Sequence, residues 1–525
     1  MGSFNSISID KFIGLNTSKD ELSLIPGQLS SNNNYLYMAN GGIRERGGGA
    51  RLSSPPSAGA LYSLSNYRNS SGTEYLITNQ GTDAYYYSSG WNALSLTLTS
   101  NKKTRWEQAG KDSSTALYGV NGNDSIIKIS GTTPAGSSVS NSPTDCISIK
   151  KHKNRLFGLN SKGTLFFTDV LDFDTWDTTN NTIDVAPGLD GDGVALEVWG
   201  DALFIFKEFG VYVLPNADDP VPTINWSVLR TDAAIGTKSP DTVRRTKNGI
   251  YFLSSDKFIR VLSPQISFSS GEYTLGGSGT PVISVPIESD FEELLDDANK
   301  NNAQSIVHDD LYILSFQTIN NSVSYNDCTF FADTNKFVQF EGIPNPQPYW
   351  GKFTGFDYDF FTSQISGGDV KLYGAKGNAT VGEVHETLND TIHNDNGGAI
   401  QSKAVLGWYP VGGESLYKKI NQIYFAGDTE NWDINLIFKA YKYGKDLPSE
   451  GEGTQYTYRS SNVATATVGT AVVGTDVISG LTVGSSKFRT SLKGHLFRAE
   501  FSNVSVDQFT RIDKMIVYYR PIRNK

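Results

Sequence analysis

The chain has little cysteine, methionine or histidine: 2 Cys, 3 Met and 5 His in 525 residues. Two cysteines, Cys146 and Cys328, are too few for a disulfide framework, and both are expected to be free. Neither belongs to a C-x-x-C pair. None of His152, His308, His385, His393 and His495 stands three or four residues from another, which excludes a helical zinc motif. His385 and His393 fall in a polar stretch and read as surface residues. There is no excess of positive charge either. The net charge is −10 and no basic run occurs, so the chain is a poor nucleic-acid binder, because Lys and Arg supply phosphate affinity. It could still surround DNA without gripping it. No apolar run approaches the roughly 18 residues of a membrane span, and the start carries no signal-peptide core. No Gly-x-Ser-x-Gly elbow and no phosphate-binding glycine loop is present. No catalytic residue, metal site or cofactor is expected.

What the chain does have is 28 Phe, 26 Tyr, 8 Trp and 52 Gly, the mix that suits half-buried strands joined by tight turns. Seven hydrophobic-aromatic doublets recur along it: Tyr75-Leu76, Leu117-Tyr118, Leu156-Phe157, Leu203-Phe204, Ile250-Tyr251, Leu311-Tyr312 and Leu372-Tyr373. Most are followed by a turn and a further β-rich segment, such as Ser125 to Ile129 or Lys257 to Leu262. Self-similarity at this scale signals propellers or solenoids. One small antiparallel sheet cannot bury both faces, and stacking sheets radially gives each a neighbour. The expected fold is all-β: a β-propeller of about five to seven blades over residues 51–390. N-terminal arm strands occupy 1–50 and a β-sandwich-like platform 391–525.

Within the arm, Ile7-Ser8-Ile9 alternates as a short strand and Pro26-Gly27 marks a turn. Arg44 and Arg46 read as a solvated strand edge, or more sharply as an intersubunit or anchoring contact, because arginine forks pair well with carboxylates. One short helix is expected near 289–300, with Ser289 as N-cap and Glu292 closing a capping box. A polar run from Asn389 to Gly398 marks the domain boundary. Strands are expected at Ile420–Phe425, Trp432–Phe438, Leu496–Phe501 and Met515–Tyr519. Between them Val463 to Val483 is rich in Val, Thr, Ala and Gly, and reads as a hairpin or assembly contact.

Two acidic clusters invite chemistry. Asp190-Gly191-Asp192-Gly193 hints at calcium, but Glu197 comes too early for a bidentate ligand, and a tight turn is the preferred reading. Asp172, Asp174 and Asp177 around Trp176 could mimic a glycosidase pair, but Asp-rich rim turns explain them as well.

The opening Phe12-Ile13-Gly14-Leu15-Asn16, Leu24-Ile25-Pro26-Gly27-Gln28, Asn32-Asn33-Asn34 and Gly42-Ile43-Arg44-Glu45-Arg46-Gly47 resembles the N-terminus of tail nozzle (tail tubular) proteins of short-tailed bacteriophages. Arg155-Leu156-Phe157, Leu171 to Trp176, Asp190 to Gly193, Leu203 to Lys207, Ile235-Gly236-Thr237 and Gly249 to Ser254 are similar to the same group and to related tail-hub accessory proteins. So is the ending Leu492 to Arg498, whereas the stretch 263–400 departs from the pattern. The resemblance implies a non-enzymatic virion tail protein, a propeller on a β-rich platform. It would assemble as a homo-oligomeric ring, usually of six, below portal and adaptor. That ring would extend the DNA-ejection channel, without gripping the DNA, and anchor fibres or spikes. The alternatives are a propeller glycan hydrolase and a receptor-binding propeller of a tail fibre.

Overall fold

The computed structural model of the chain describes residues 5–52, 59–111, 114–215, 217, 226–263, 265–269, 272–276, 279–319, 325–377, 382–411, 416–428, 433–443, 454–459, 483–506 and 509–522. The fold is all-β. Among the described residues one α-helix, Glu288–Leu294, interrupts the strands, with a few short 3-10 turns.

Seven antiparallel sheets follow one another along the chain. Sheet one is Leu61–Arg68, Glu74–Gln80, Asp83–Tyr87 and Trp91–Thr97. Sheet two is Arg105–Lys111, Ser114–Val120, Ile127–Ser130 and Ala135–Ser138. Sheet three is Cys146–His152, Arg155–Asn160 and Thr164–Asp169, with Asp172–Trp176 and Thr182–Asp184 on its outer side. Sheet four is Gly193–Trp199, Ala202–Lys207, Val211–Leu214 and Leu229–Arg230. Sheet five has three strands, Arg244–Thr246, Gly249–Leu253 and Ile259–Leu262. Sheet six is Gln304–His308, Leu311–Phe316, Cys328–Val338 and Gln347–Phe353, and sheet seven is Phe360–Ser366, Asp369–Lys376 and Glu383–Asn389. The first strand of each sheet packs beside the first strand of the next, and that of sheet seven packs beside that of sheet one, so the seven form a closed cycle.

The doublets explain how the cycle is held. Each lies in the second strand of its sheet. Successive side chains of a strand point to opposite faces, so a strand buried on both faces needs two adjacent apolar residues. Leu156 enters the core between sheets two and three, and Phe157 the core between three and four. Leu203 and Phe204 divide in the same way, as do Ile250 and Tyr251. Leu76 joins the core between sheets seven and one, where Phe360 and Tyr373 meet it.

The chain ends close the cycle and build what stands beside it. Gly48–Arg51 pairs with Glu383–Asn389 as the outermost strand of sheet seven. Asn5–Ile9 pairs with Lys514–Pro521, Ile7 opposite Val517. Leu29–Asn33 sits between Gln347–Phe353 and Ser402–Leu406. Sheet six thereby continues through Leu496–Asn503, Asp433–Tyr441 and Thr454–Arg459 into one nine-stranded sheet. That sheet runs across the division expected at residue 390: Gln304–His308 through Gln347–Phe353 share it with the C-terminal strands. Its physical cause is the arm strand, whose two sides hydrogen-bond to both regions at once. A large core with Phe12, Tyr35, Phe331, Phe438, Phe501 and Val517 fills the space between this sheet and the sheet containing Lys514–Pro521.

Two local expectations need correction. The helix runs over Glu288–Leu294 rather than to Lys300, and Ser289 lies inside it. The 3-10 turn Val285–Ile287 feeds straight into the helix, Ile287 takes the cap position, and the Ser289 hydroxyl donates to Thr17 Oγ1 at 3.2 Å instead of closing a capping box. Arg46 is no solvated edge: it is fully buried and pairs with Asp395, while Arg44 pairs with Asp390 at 2.8 Å. Residues 463–482 of the Val- and Thr-rich segment lie outside the described residues.

Candidate functional site

The first strands of the seven sheets, with the residues leading into them, surround a cavity of about 280 Å³ on the axis of the cycle. Strand alternation puts charge there. Arg105 and Glu107 are two apart on the first strand of sheet two and face the same side, with Lys103 preceding them in step. Lys150 comes from sheet three, Glu197 from sheet four, Asp241 from the turn Pro240–Thr242 and Arg244 from sheet five.

These groups form two clusters. In the first, Arg105 grips Asp241 at two points, Nε to Oδ1 at 2.7 Å and Nη2 to Oδ2 at 2.8 Å, and its Nη1 donates to Ile147 O at 3.0 Å. Lys103 and Arg244 bear on the same carboxylate through space. In the second, Lys150 Nζ stands 3.0 Å from Glu197 Oε1 and 3.8 Å from Glu107 Oε2, and Lys151 N donates to Glu107 Oε1 at 3.2 Å. Burial works against the Asp241 charge, but Arg105 above all, helped by Lys103 and Arg244, holds its carboxyl below the ordinary value. Burial raises the Glu107 carboxyl, with Lys150 opposing the rise and Glu197 adding to it. Burial also opposes the Lys150 charge, yet Glu197 and Glu107 keep that ammonium above its usual range. For Lys103 burial wins, and its ammonium is pushed down.

The acidic clusters singled out in the sequence serve turns and inter-sheet bonds. Asp190 accepts from Tyr212 Oη at 2.5 Å and from Arg230 Nε at 2.9 Å, tying its loop to sheet four. Asp174 accepts from Tyr118 Oη at 3.0 Å and Lys128 Nζ at 2.5 Å, linking sheets three and two. Asp177 accepts from Thr179 N and Asn180 N, a local turn. Asp172 accepts from Asp174 N and Thr175 N, both at 3.3 Å, so the three carboxylates around Trp176 have separate partners. Among the described residues no group of three or more His, Cys, Asp and Glu side chains is placed to hold a metal ion. Cys146 and Cys328 are free and buried. His385 is buried rather than superficial, with Nε2 3.0 Å from Glu383 Oε2, and His393 is half-buried against Phe509. Among the described residues no helix is long and apolar enough to cross a membrane.

Nothing in the sequence marks the axial residues as a group, because their partners come from distant strands. The usable signal was the alternation Lys103, Arg105, Glu107, a charged stripe on one strand face.

No family model matches the chain, and no curated protein matches it. Among solved structures the chain is similar to the crystal structure of the computationally designed Ika8 protein (crystal packing No.1 in P63), at 11% identity over 64% of this chain and 99% of that one, with a TM-score of 0.35. It is also similar to the computationally designed Ika4 protein, at 12% identity over 31% and 94% of the two chains, with a TM-score of 0.23. Likenesses this slight carry no argument about fold or function.

Proposed function

We propose that the chain is a seven-bladed β-propeller joined to a β-rich platform, and that it is a structural protein of a short-tailed phage tail. In this reading copies assemble as a ring, with six the expected number, that extends the DNA-ejection channel below portal and adaptor and anchors fibres. The reading rests on the resemblance of the arm, the central block and the chain end. What supports it over a hydrolase is the state of the axial cavity. A glycan hydrolase needs two carboxylates left available for substrate, one of them protonated. Here Asp241 is held by Arg105, and Glu107 and Glu197 share Lys150. The same ion pairs cross the axis of one propeller, so a conduit would run between copies, walled by chains that each carry a net charge of −10. Such a wall lets phosphate slide past rather than bind.

Native mass measurement and cryo-electron microscopy of the purified full chain test this. A ring of six around an open channel is expected. A monomer that cleaves host polysaccharide would overturn it in favour of the hydrolase, and a trimer in favour of a fibre-tip propeller.

A further inference from the structure

We propose that the axial cavity is a binding site for a small oxyanion, held between Lys103 and Arg244. This goes beyond the tail reading and depends only on the ring's geometry.

The cavity is unevenly charged. Four cations and three carboxylates reach it. Arg105 and Asp241 satisfy each other, and Lys150 is shared by two carboxylates. Lys103 and Arg244 remain: among the described residues neither makes a direct ion pair, though both bear on Asp241 through space and Lys103 also on Asp359. Arg244 donates from Nε to Ser305 O at 2.9 Å and from Nη1 to Val243 O at 3.0 Å, and its Nη2 makes no hydrogen bond to the described residues. Among the described residues Lys103 Nζ donates only to Asn302 O, at 3.3 Å, and lies over the Phe360 ring at 5.5 Å. An ammonium has three donors and a guanidinium five, so both retain capacity.

An ammonium and a guanidinium both donate, and an oxyanion accepts from both. At about 280 Å³ the cavity lies near the lower end of the roughly 300–1,000 Å³ of ordinary ligand pockets and has room for an anion of phosphate size. Glu107 and Glu197 face the cavity from the other cluster, so the anion belongs on the Lys103 and Arg244 side.

Burial depresses the Lys103 ammonium, with Asp241 and Asp359 opposing the fall and Arg105 adding to it, and a bound anion would raise it. Binding should therefore take up protons, more so as pH rises.

The test is calorimetric titration of the full chain with inorganic phosphate at alkaline pH, in two buffers of different ionisation heat. One site per chain is expected, with buffer-dependent heat that reports proton uptake. Lys103→Met and Arg244→Gln should each weaken binding by about tenfold or more. Circular dichroism checks that each variant folds. Lys103→Met gives up one long hydrogen bond, the charge over the Phe360 ring and a through-space hold on Asp241 and Asp359, but no direct ion pair, and decides the matter if Arg244→Gln does not fold. No heat from the wild-type chain, or binding unchanged in Lys103→Met, overturns the proposal. Binding without proton uptake removes Lys103 from the site and overturns it equally.

Discussion

Arg105 and Asp241 stand 136 residues apart in sequence and close a two-point ion pair across the axis of the seven-sheet cycle. Sheets two and five are not neighbours, so this pair braces the cycle where adjacent-sheet cores cannot. The carboxylate side chain is 8% exposed and the guanidinium 23%. Arg105→Met would leave Asp241 charged in a buried site, and a loss of about 3–5 kcal/mol is expected. The double variant Arg105→Met with Asp241→Leu should be much less damaged, because no charge is stranded. Urea denaturation of both variants checks this. An unchanged midpoint for Arg105→Met would mean that Lys103 and Arg244 suffice to carry the Asp241 charge.

Arg46 makes a comparable brace at the rim. Its Nε donates to Asn34 Oδ1 at 2.9 Å, its Nη1 to Gly47 O at 3.0 Å and Asp395 Oδ1 at 3.0 Å, and its Nη2 to Thr354 O at 3.2 Å and to Asp395 Oδ2. It also lies over the Phe353 and Phe356 rings. Lysine is a point charge and cannot reproduce this planar fork. Arg46→Lys should therefore lose about 2–4 kcal/mol, near the cost of breaking a buried pair. Limited proteolysis should then cut the arm near residues 34–47 faster than in the wild type. Equal cleavage rates would show that strand pairing alone holds the arm.

The repeat was legible because it is a local consequence of burial. Each doublet serves two cores through adjacent residues of one strand, and alternation writes that need into the sequence. The tie between Leu29–Asn33 and two distant strands was not legible, since Asn33 opposite Lys352 is one long-range choice among many. The axial site failed for a related reason. Lys103 and Arg105 look solvated until sheets three and five bring Ile147 and Asp241 to them. The arginine of the arm was read as an edge because Asp395 lies hundreds of residues later, in a polar run that resembles any surface loop.

Glu45 sets a pH response. It is 1% exposed and has no ion-pair partner among the described residues; Ser402 Oγ donates to it at 2.6 Å, Asn503 Nδ2 at 3.2 Å and Thr510 N at 3.2 Å. Burial, only partly offset by these donors, pushes its carboxyl up to about 7. A carboxyl raised on folding binds more protons in the folded chain, so its contribution favours the fold below the unfolded value and is lost as pH rises through about 7. From the shift, about 3 kcal/mol is lost between pH 4.5 and 7. Glu45→Gln cannot ionise and should flatten that part of the stability profile. Denaturant midpoints at several pH values check the slope, and an identical slope in Glu45→Gln would assign it to other groups.

Gly236, within the Ile235-Gly236-Thr237 motif, tests how tightly sheets four and five are joined. A Cβ at this position would fall 1.8 Å from Lys207 O and 2.8 Å from Gly210 O, both backbone atoms that no rotamer change can move aside. The same turn supplies Thr237 N to Lys207 O at 3.0 Å and receives Ser255 N on Gly236 O at 3.0 Å. Gly236→Ala must therefore shift the backbone of one sheet against the other and break one or both bonds. A loss of about 3 kcal/mol or more is expected, the range of overpacking compounded by unsatisfied buried amides. Gly188→Ala is the control: its Cβ meets nothing within 4 Å, and only the left-handed backbone angle of 74° opposes it, for a cost of about 1 kcal/mol. Thermal melting of the two variants should separate them clearly. If both melt alike, the close approach at Gly236 relaxes cheaply, and the junction between sheets four and five is looser than its hydrogen bonds indicate.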